Sequence, residues 1–253
     1  MKSEKFNGIA LSPSQDNLLI KLIDKFSQEY NIPIITFNSD LENTARLCFI
    51  GQNAVKSGQT AAGLMGEITN GQGQIIIISG HEENPSLQQR ADGFNREISI
   101  SYPQINNLGI RYAYDDDWVA EKITDEILNK YPNLKGIYIT GSGVIGVCKS
   151  LQKANKIKDI KIIANDFIND NIQLLSNGTI NFLIGQDAYT QGYQSIMLLF
   201  HKLFDNKNPD SKFAYTDIVI KNSLQHLTEI GNVSLLLLSR YFPSIFILII
   251  RKL

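Results

Sequence analysis

A run of four isoleucines, Ile75–Ile78, is the feature that most constrains how this chain can fold. A continuous β-branched run of this length is typical of a strand buried on both faces, as strands of parallel sheets are. Similar apolar segments recur along the chain and alternate with segments whose apolar residues follow helical spacing. The alternation predicts an α/β protein with parallel sheets flanked by helices.

The composition excludes several classes of protein. The 253 residues suffice for one large domain or two lobes, and a net charge of −1 provides no strong attraction to nucleic acid. The two cysteines, Cys48 and Cys148, match neither a metal site nor a disulfide framework. The first residues lack the apolar core of a secretory signal. Two reduced thiols without a signal predict a cytoplasmic location.

A glycine-rich turn, Gly141–Gly146, suggests one enzymatic function. The predicted strand Gly136–Thr140 leads into G-x-G-x-x-G, a helix-like segment follows, and Asp166 ends the next predicted strand. A strand, a glycine turn and a helix form the setting of a dinucleotide-binding fingerprint. This motif therefore supports the hypothesis of an NAD-dependent enzyme that binds its cofactor through residues 141–146.

Polar residues follow the carboxyl ends of five predicted strands, which is where open α/β sheets bind ligands. We expect these five turns to line one polar pocket. The turns are Asn38–Asp40, Gly80–Arg90, Thr140–Ser142, Asn165–Asp166 and Gln186–Asp187.

The order of several segments resembles the sugar-binding domain of the LacI/GalR family of bacterial transcription regulators. The segments are GIALSP, IPIITFNSD, YITGSGVIGV, IIANDF and FLIGQDAYTQGYQSI, and they extend over roughly residues 6–224. The periplasmic sugar-binding proteins of ABC transporters share this fold. The segment SGHEENPSLQQRADGF resembles the regulator branch. The resemblance implies a non-enzymatic, two-lobed periplasmic binding protein-like type I fold with a sugar between the lobes.

The resemblance also implies a set of ligand-binding residues, with no catalytic residue, cofactor or metal. The set is Asn38, Ser39, Arg90, Thr140, Gly141, Ser142, Asp166 and Gln186. Carboxylates accept from sugar hydroxyls, whereas Arg and amide groups donate in fixed geometry. Two of these residues keep a second interpretation, because Arg90 suits a surface ion pair and Asp166 suits the N-cap of a helix beginning near Ile168. Thr140-Gly141-Ser142 replaces an Asn-Asp pair of the family.

The resemblance gives expectations for domains and partners as well. Residues 1–53 and 187–224 are expected to form an N-terminal lobe, and residues 54–186 a C-terminal lobe. The chain starts at what resembles the third strand of the first lobe, so we expect that lobe to be incomplete and N-terminally truncated. Residues 225–253 form an atypical apolar tail, which could be a membrane anchor, a core helix or a non-native end. No membrane contact is expected unless the tail is native.

The leading hypothesis is the effector domain of a LacI-type regulator, in which a bound sugar closes the lobes of a homodimer. DNA would be bound only through a helix-turn-helix domain that this chain lacks. The alternative is a periplasmic sugar-binding protein of an ABC transporter. The NAD-dependent enzyme is the second alternative.

Overall fold

The computed structural model describes residues 6–224 and 246–250, which fall into two compact α/β units. Unit 1 contains the described residues 6–52, 187–217 and 246–250, and unit 2 contains 53–186 and 218–224. Each unit has one sheet, and most neighbouring strands within the sheets are parallel. The predicted α/β class with parallel sheets and flanking helices is confirmed.

Strands and helices alternate along most of the described chain. The strands are Gly8–Ser12 (β1), Ile34–Phe37 (β2), Cys48–Gln52 (β3), Gly73–Ser79 (β4), Ile105–Tyr112 (β5), Leu134–Ile139 (β6), Lys161–Asn165 (β7), Phe182–Gln186 (β8), Phe213–Thr216 (β9), Ile218–Lys221 (β10) and Phe246–Ile250 (β11). The helices are Asn17–Gln28 (α1), Ala54–Ile68 (α2), Pro85–Ser101 (α3), Asp117–Lys130 (α4), Val144–Lys153 (α5), Asn169–Ser176 (α6) and Ala188–Phe204 (α7).

The sheet of unit 1 has the order β11-β1-β2-β3-β9, and only the β11–β1 pair is antiparallel. Alternate strand residues supply two apolar clusters, as the two-residue period of a strand requires. Ala10 and Ile35 pack with Leu199 of α7, whereas Leu11 packs with Ile23 of α1. Among the described residues, α7 therefore packs on one face of this sheet and α1 on the other.

The sheet of unit 2 has the order β10-β8-β7-β6-β4-β5, with β10 antiparallel to β8. Ile75 and Ile77 of β4 join a cluster with α2 and α3, whereas Ile76 and Ile78 join a cluster with α4, α5 and α6. All four are fully buried, and burying such a side chain contributes about 1.5–3 kcal/mol. The prediction of a strand buried on both faces is confirmed.

Short polar residues set where most of the helices begin. In each case the side chain accepts a hydrogen bond from a backbone N–H in the first turn, a contact typically worth ~1 kcal/mol. The residues are Asp16 for α1, Asn53 for α2, Asn84 for α3, Asp116 for α4 and Asp187 for α7.

The predicted last strand, Thr216–Lys221, is wrong as a single element. It divides at Asp217 into the end of β9 and the whole of β10, and these belong to different sheets. Apolar alternation is similar on both sides of Asp217, so the change of sheet has no signal in the local sequence. The strand partners alone separate the two halves.

Helices α2 and α3 approach so closely that glycine is required on both. A Cβ on Gly58 would lie 1.9 Å from the carbonyl oxygen of Arg90, and a Cβ on Gly93 would lie 2.1 Å from that of Val55. Real Cβ atoms do not come this near to backbone atoms, so the two glycines allow direct contact between the helices. This contact fixes α3 around Arg90.

We expect Gly63→Ala to raise the free energy of unfolding by ~0.5–1 kcal/mol. Gly63 lies inside α2, and a Cβ there would meet no atom within 4 Å. The methyl group therefore restricts the unfolded chain without a cost in the folded one. Urea denaturation measures the change, and an unchanged or lower stability would contradict the open space assigned to this position.

The predicted apolar tail, residues 225–253, lies outside the described residues except for β11. Within the described ranges, no helix combines the length and the apolar character needed to cross a membrane.

Candidate functional site

Arg90 lies at the centre of a polar cluster beyond the strand ends of unit 2. It is 4% exposed on α3, and its Nη1 donates to the carbonyl oxygen of Thr140 at 2.7 Å. Its Nη2 lies 3.7 Å from Oδ1 of Asp166, while Nε has no hydrogen-bond partner among the described residues. A buried guanidinium normally requires charged or polar partners on all its donors. Arg90 is therefore part of a buried polar cluster and not a surface ion pair.

Asp166 faces solvent at the end of β7. Its side chain is 41% exposed, and Oδ1 accepts a hydrogen bond from Nε2 of Gln186 at 3.2 Å. Its φ of 71° is in the left-handed region, an uncommon conformation for a residue with a side chain and one that concentrates at functional sites. The N-cap of α6 is Ile168, which makes no side-chain capping bond, so the helix-cap interpretation of Asp166 is wrong.

Two buried asparagines hold the turn that carries Asp166. Nδ2 of Asn171 donates to the carbonyl oxygens of Asn165 and Asp166 at 3.1 and 3.0 Å. Nδ2 of Asn165 donates to the hydroxyl of Tyr138 at 3.0 Å. Burial raises the pKa of Tyr138 to about 12, so its hydroxyl is neutral at physiological pH. No sequence pattern predicted the supporting roles of Tyr138, Asn165 and Asn171. The segment IIAND indicated only that Asn165 lies near the end of a strand.

The segment Thr140-Gly141-Ser142 forms hydrogen bonds through both side-chain and backbone groups. Thr140 is fully buried, and its hydroxyl donates to Oγ of Ser79 at 2.8 Å. Its carbonyl oxygen instead holds Arg90. Ser142 is exposed, and its backbone N–H donates to Oδ1 of Asp115 at 3.3 Å. Thr140 thus positions Arg90, whereas Gly141 and Ser142 continue the same strand-end surface.

The glycine turn that suggested NAD has a structural explanation. Gly143 has φ +95° and begins α5, while a Cβ on Gly146 would lie 1.9 Å from the carbonyl oxygen of Asp117 in α4. Gly143 therefore makes the turn, and Gly146 allows α4 and α5 to touch.

Two backbone N–H groups of this turn donate to acidic side chains. The N–H of Gly146 donates to Oδ1 of Asp117 at 3.2 Å, and that of Ser142 donates to Asp115. A pyrophosphate at a helix N-terminus requires such donors and an absence of competing negative charge. The geometry therefore disfavours the dinucleotide alternative.

Two of the predicted residues lie in unit 1, at the end of β2. Asn38 has φ 63°, and its Nδ2 donates to Oγ of Ser12 at 3.3 Å. Oγ of Ser39 donates to the carbonyl oxygen of Pro13 at 2.6 Å and lies 3.2 Å from Oγ of Ser12. The neighbouring Asp40 forms an ion pair with buried Arg46 inside unit 1.

The eight predicted residues are divided between the two units. Arg90, Thr140, Asp166 and Gln186 are linked by direct contacts in unit 2, with Gly141 and Ser142 next in the chain. Asn38 and Ser39 form a polar turn in unit 1.

A cavity of about 240 Å³ in unit 1 contains none of the eight residues. Cys48, Leu198 and Phe213 contribute to its lining beside the loop 207–211. Its lining also includes polar residues, but unlike the unit 2 cluster they do not follow the carboxyl ends of parallel strands, where open α/β sheets bind ligands. These polar residues are His201, Lys207, Asn208, Asp210 and Ser211. We therefore place the candidate site at the unit 2 cluster. In the described part of the chain, no three His, Cys, Asp or Glu residues are placed to hold a metal ion.

Both cysteines are free and buried. Burial raises the pKa of Cys148 to about 12 and also raises that of Cys48. Both are protonated thiols at physiological pH, and the thiolate is the reactive form. Buried thiols of this kind are compatible with several cellular compartments.

Comparisons with known proteins agree with the fold. A sequence model described as a periplasmic binding protein domain matches residues 1–207. The xylose/arabinose-binding protein XylF of Sulfolobus acidocaldarius is 23% identical over 217 residues, covering 78% of this chain and 52% of that protein. The chain thus spans about half the length of this curated relative.

Solved structures extend the likeness. The glucose-galactose binding protein GanP of Geobacillus stearothermophilus has a TM-score of 0.81 at 22% identity, over 88% of this chain and 78% of that chain. An ABC transporter solute binding protein of Burkholderia graminis, solved with D-arabinose, has a TM-score of 0.80 at 25% identity over the same shares. The expected periplasmic binding protein-like fold is confirmed.

The predicted cytoplasmic location is wrong. The matching family model is that of periplasmic binding proteins, and the structural relatives include a solute binding protein of an ABC transporter. The two cysteines led to this wrong prediction, because buried, protonated thiols do not indicate in which compartment a protein is located.

Proposed function

The chain belongs to the periplasmic binding protein domain family, and on that premise we propose that it is an extracytoplasmic sugar-binding component of an ABC transporter. The observation that carries this proposal is the contact between buried Arg90 and solvent-facing Asp166. XylF and GanP, two of the relatives described above, are themselves sugar-binding proteins by name. These comparisons favour transport over the regulator hypothesis.

The cluster suits the hydroxyl groups of a sugar. The carboxylate of Asp166 can accept from two neighbouring hydroxyls, and the donors of Arg90 and Gln186 lie beside it. Charge-assisted hydrogen bonds are stronger than neutral ones and require defined directions. The rigid turn under Asp166 keeps the carboxylate in place before a ligand arrives, which lowers the entropic cost of binding.

The first test is a thermal-shift screen with D-arabinose, D-xylose, D-glucose, D-galactose and NAD. A ligand that binds only the folded protein raises its melting temperature. We expect at least one sugar to stabilise the protein and NAD to leave it unchanged. Stabilisation by NAD alone would overturn the proposal.

We expect Asp166→Asn to weaken binding of the stabilising sugar by ~10- to 100-fold, because a hydrogen bond to a charged group contributes about 1.5–3 kcal/mol. Isothermal titration calorimetry measures the affinity. Asp170→Asn is the matched control, since Asp170 is an exposed acid on α6 of the same unit. Equal affinities for the two variants would remove Asp166 from the site.

The regulator alternative depends on SGHEENPSLQQRADGF, the segment that carries Arg90 and resembles the regulator branch of the fold. The coding sequence upstream of this chain separates the two functions. A helix-turn-helix would favour a regulator, and a secretory signal would favour transport.

A further inference from the structure

The turn after β5 carries an exposed aromatic side chain in a backbone conformation that such residues rarely adopt. Tyr114 has φ 55° and is 56% exposed, and the next residue, Asp115, has φ 58°. A bulky residue in the left-handed region is an outlier, and outliers of this kind concentrate at functional sites. The backbone N–H of Tyr114 donates to the carbonyl oxygen of Gly80 at 3.3 Å, which ties the turn to the end of β4. Burial of the ring therefore does not explain why the turn has this conformation.

The carboxylate of Asp115 extends the turn across the ends of two neighbouring strands. Its Oδ1 accepts a hydrogen bond from the backbone N–H of Ser142 at 3.3 Å. A Cβ on Gly80 would lie 2.3 Å from this oxygen, and a Cβ on Gly141 would lie 3.4 Å from it. The absence of side chains at these two glycines therefore makes room for the carboxylate beside the ends of β4 and β6.

An imidazole accompanies the ring of Tyr114. His81 is exposed in the loop after β4, and its ring centroid lies 5.5 Å from that of Tyr114 in an edge-to-face arrangement. The faces of a sugar ring carry C–H groups that pack on aromatic rings, whereas its hydroxyl groups donate to carboxylates. An exposed aromatic pair that adjoins the carboxylate of Asp115 therefore suits a sugar ring.

This group is too far from Asp166 for one sugar ring to reach both. The strands β7, β6, β4 and β5 are consecutive in the sheet, with Asp166 beyond the first and Tyr114 beyond the last. Neighbouring strands are ~4.8 Å apart, so three intervals separate these two residues by ~14 Å. The segment 140–142 lies between them and contacts Arg90 at one end and Asp115 at the other. The polar surface is therefore continuous and long enough for two linked rings.

We propose that Tyr114, His81 and Asp115 form a second sugar subsite, and that the ligand of this chain is a disaccharide or a longer oligosaccharide. The inference rests on the proposed function, because it takes the cluster of Arg90 and Asp166 as the first subsite. One ring binds at that cluster, and the next ring packs on Tyr114 while its hydroxyl groups donate to Asp115.

Isothermal titration calorimetry of the full chain, with single sugars and with their disaccharides, tests the length of the ligand. The pairs are D-xylose with xylobiose, D-glucose with cellobiose and D-galactose with galactobiose. We expect one disaccharide to bind ~10-fold or more tightly than its single sugar, which corresponds to ~1.4 kcal/mol of additional contact. If single sugars bind and no disaccharide binds more tightly, the second subsite is wrong and the proposed function stands. If no sugar binds, the proposed function is overturned and this inference with it.

Tyr114→Ala tests where the second ring lies. We expect the affinity for that disaccharide to fall ~10-fold and the affinity for the single sugar to stay nearly unchanged, which also shows that the variant is folded. Tyr114→Phe retains the ring and should bind the disaccharide almost as the wild type does. Tyr30→Ala is the matched control, because Tyr30 is also 56% exposed but lies between α1 and the start of β2, away from the carboxyl ends of the strands. An equal loss for both ligands in Tyr114→Ala, or no loss for either, would overturn the assignment of Tyr114 to the second ring.

Discussion

Arg90→Ala is expected to lower the affinity for the stabilising sugar by more than ~100-fold, the largest functional effect of any single replacement in the cluster. The guanidinium is held by Thr140 and reaches Asp166, so its loss removes donors and leaves the carboxylate without its basic neighbour. Isothermal titration calorimetry measures the affinity. Arg90→Lys retains the charge but loses the planar set of donors, and we expect an intermediate affinity.

Arg90→Ala should also reduce stability, because Arg90 is buried. We expect a loss of ~1–3 kcal/mol in the free energy of unfolding from the unpaired Thr140 carbonyl and the missing side chain. Arg96→Ala is the matched control, since Arg96 is exposed on the same helix. The proposed site would be wrong if a folded Arg90→Ala protein bound sugar as tightly as the Arg96→Ala protein.

Gly146→Ala is expected to lower the free energy of unfolding by ~2–4 kcal/mol, the largest effect on stability among these predictions. The added Cβ would lie 1.9 Å from the backbone oxygen of Asp117. Backbone cannot rotate away as a side chain can, so α4 and α5 must separate and disturb the cluster that contains Val147 and Ala120. Chemical denaturation measures the loss.

Gly63→Ala is the control for Gly146→Ala, because both add one methyl group to a helix and only Gly146 meets a neighbouring backbone. Opposite signs are expected for the two changes. A stability of Gly146→Ala equal to that of the wild type would show that this glycine does not serve the helix contact. The unfolding experiment contains no nucleotide. A lower stability of Gly146→Ala would therefore come from lost packing and not from lost phosphate binding.

Much of the fold could be predicted from local patterns. The isoleucine run predicted a strand buried on both faces, and alternate residues do pack against opposite helix layers. Segments such as Asn17–Gln28 begin where a polar cap precedes apolar residues at helical spacing. The division of Thr216–Lys221 between two sheets could not be predicted, because its cause is a change of partner strand at Asp217.

The candidate site could be predicted in part. Its residues follow strand ends, a position that the sequence reveals, and the family resemblance selected Arg90 and Asp166 among them. The supporting layer could not be predicted, because Tyr138, Asn165 and Asn171 meet only after their strands and helix are packed. The contact between the backbone carbonyl of Thr140 and Arg90 could not be predicted for the same reason. The hydroxyl of Thr140 donates to Ser79.

The sequence by itself determined the periodicities, and with them the layers of strands and helices, because burial of alternate or every third to fourth residue is a local requirement. The tertiary structure decided the meaning of individual residues. Gly146 became a helix-contact glycine, and Asp117 became an acceptor for its backbone N–H. These outcomes depend on which backbone lies opposite each residue, and that is set by packing between segments far apart in the chain.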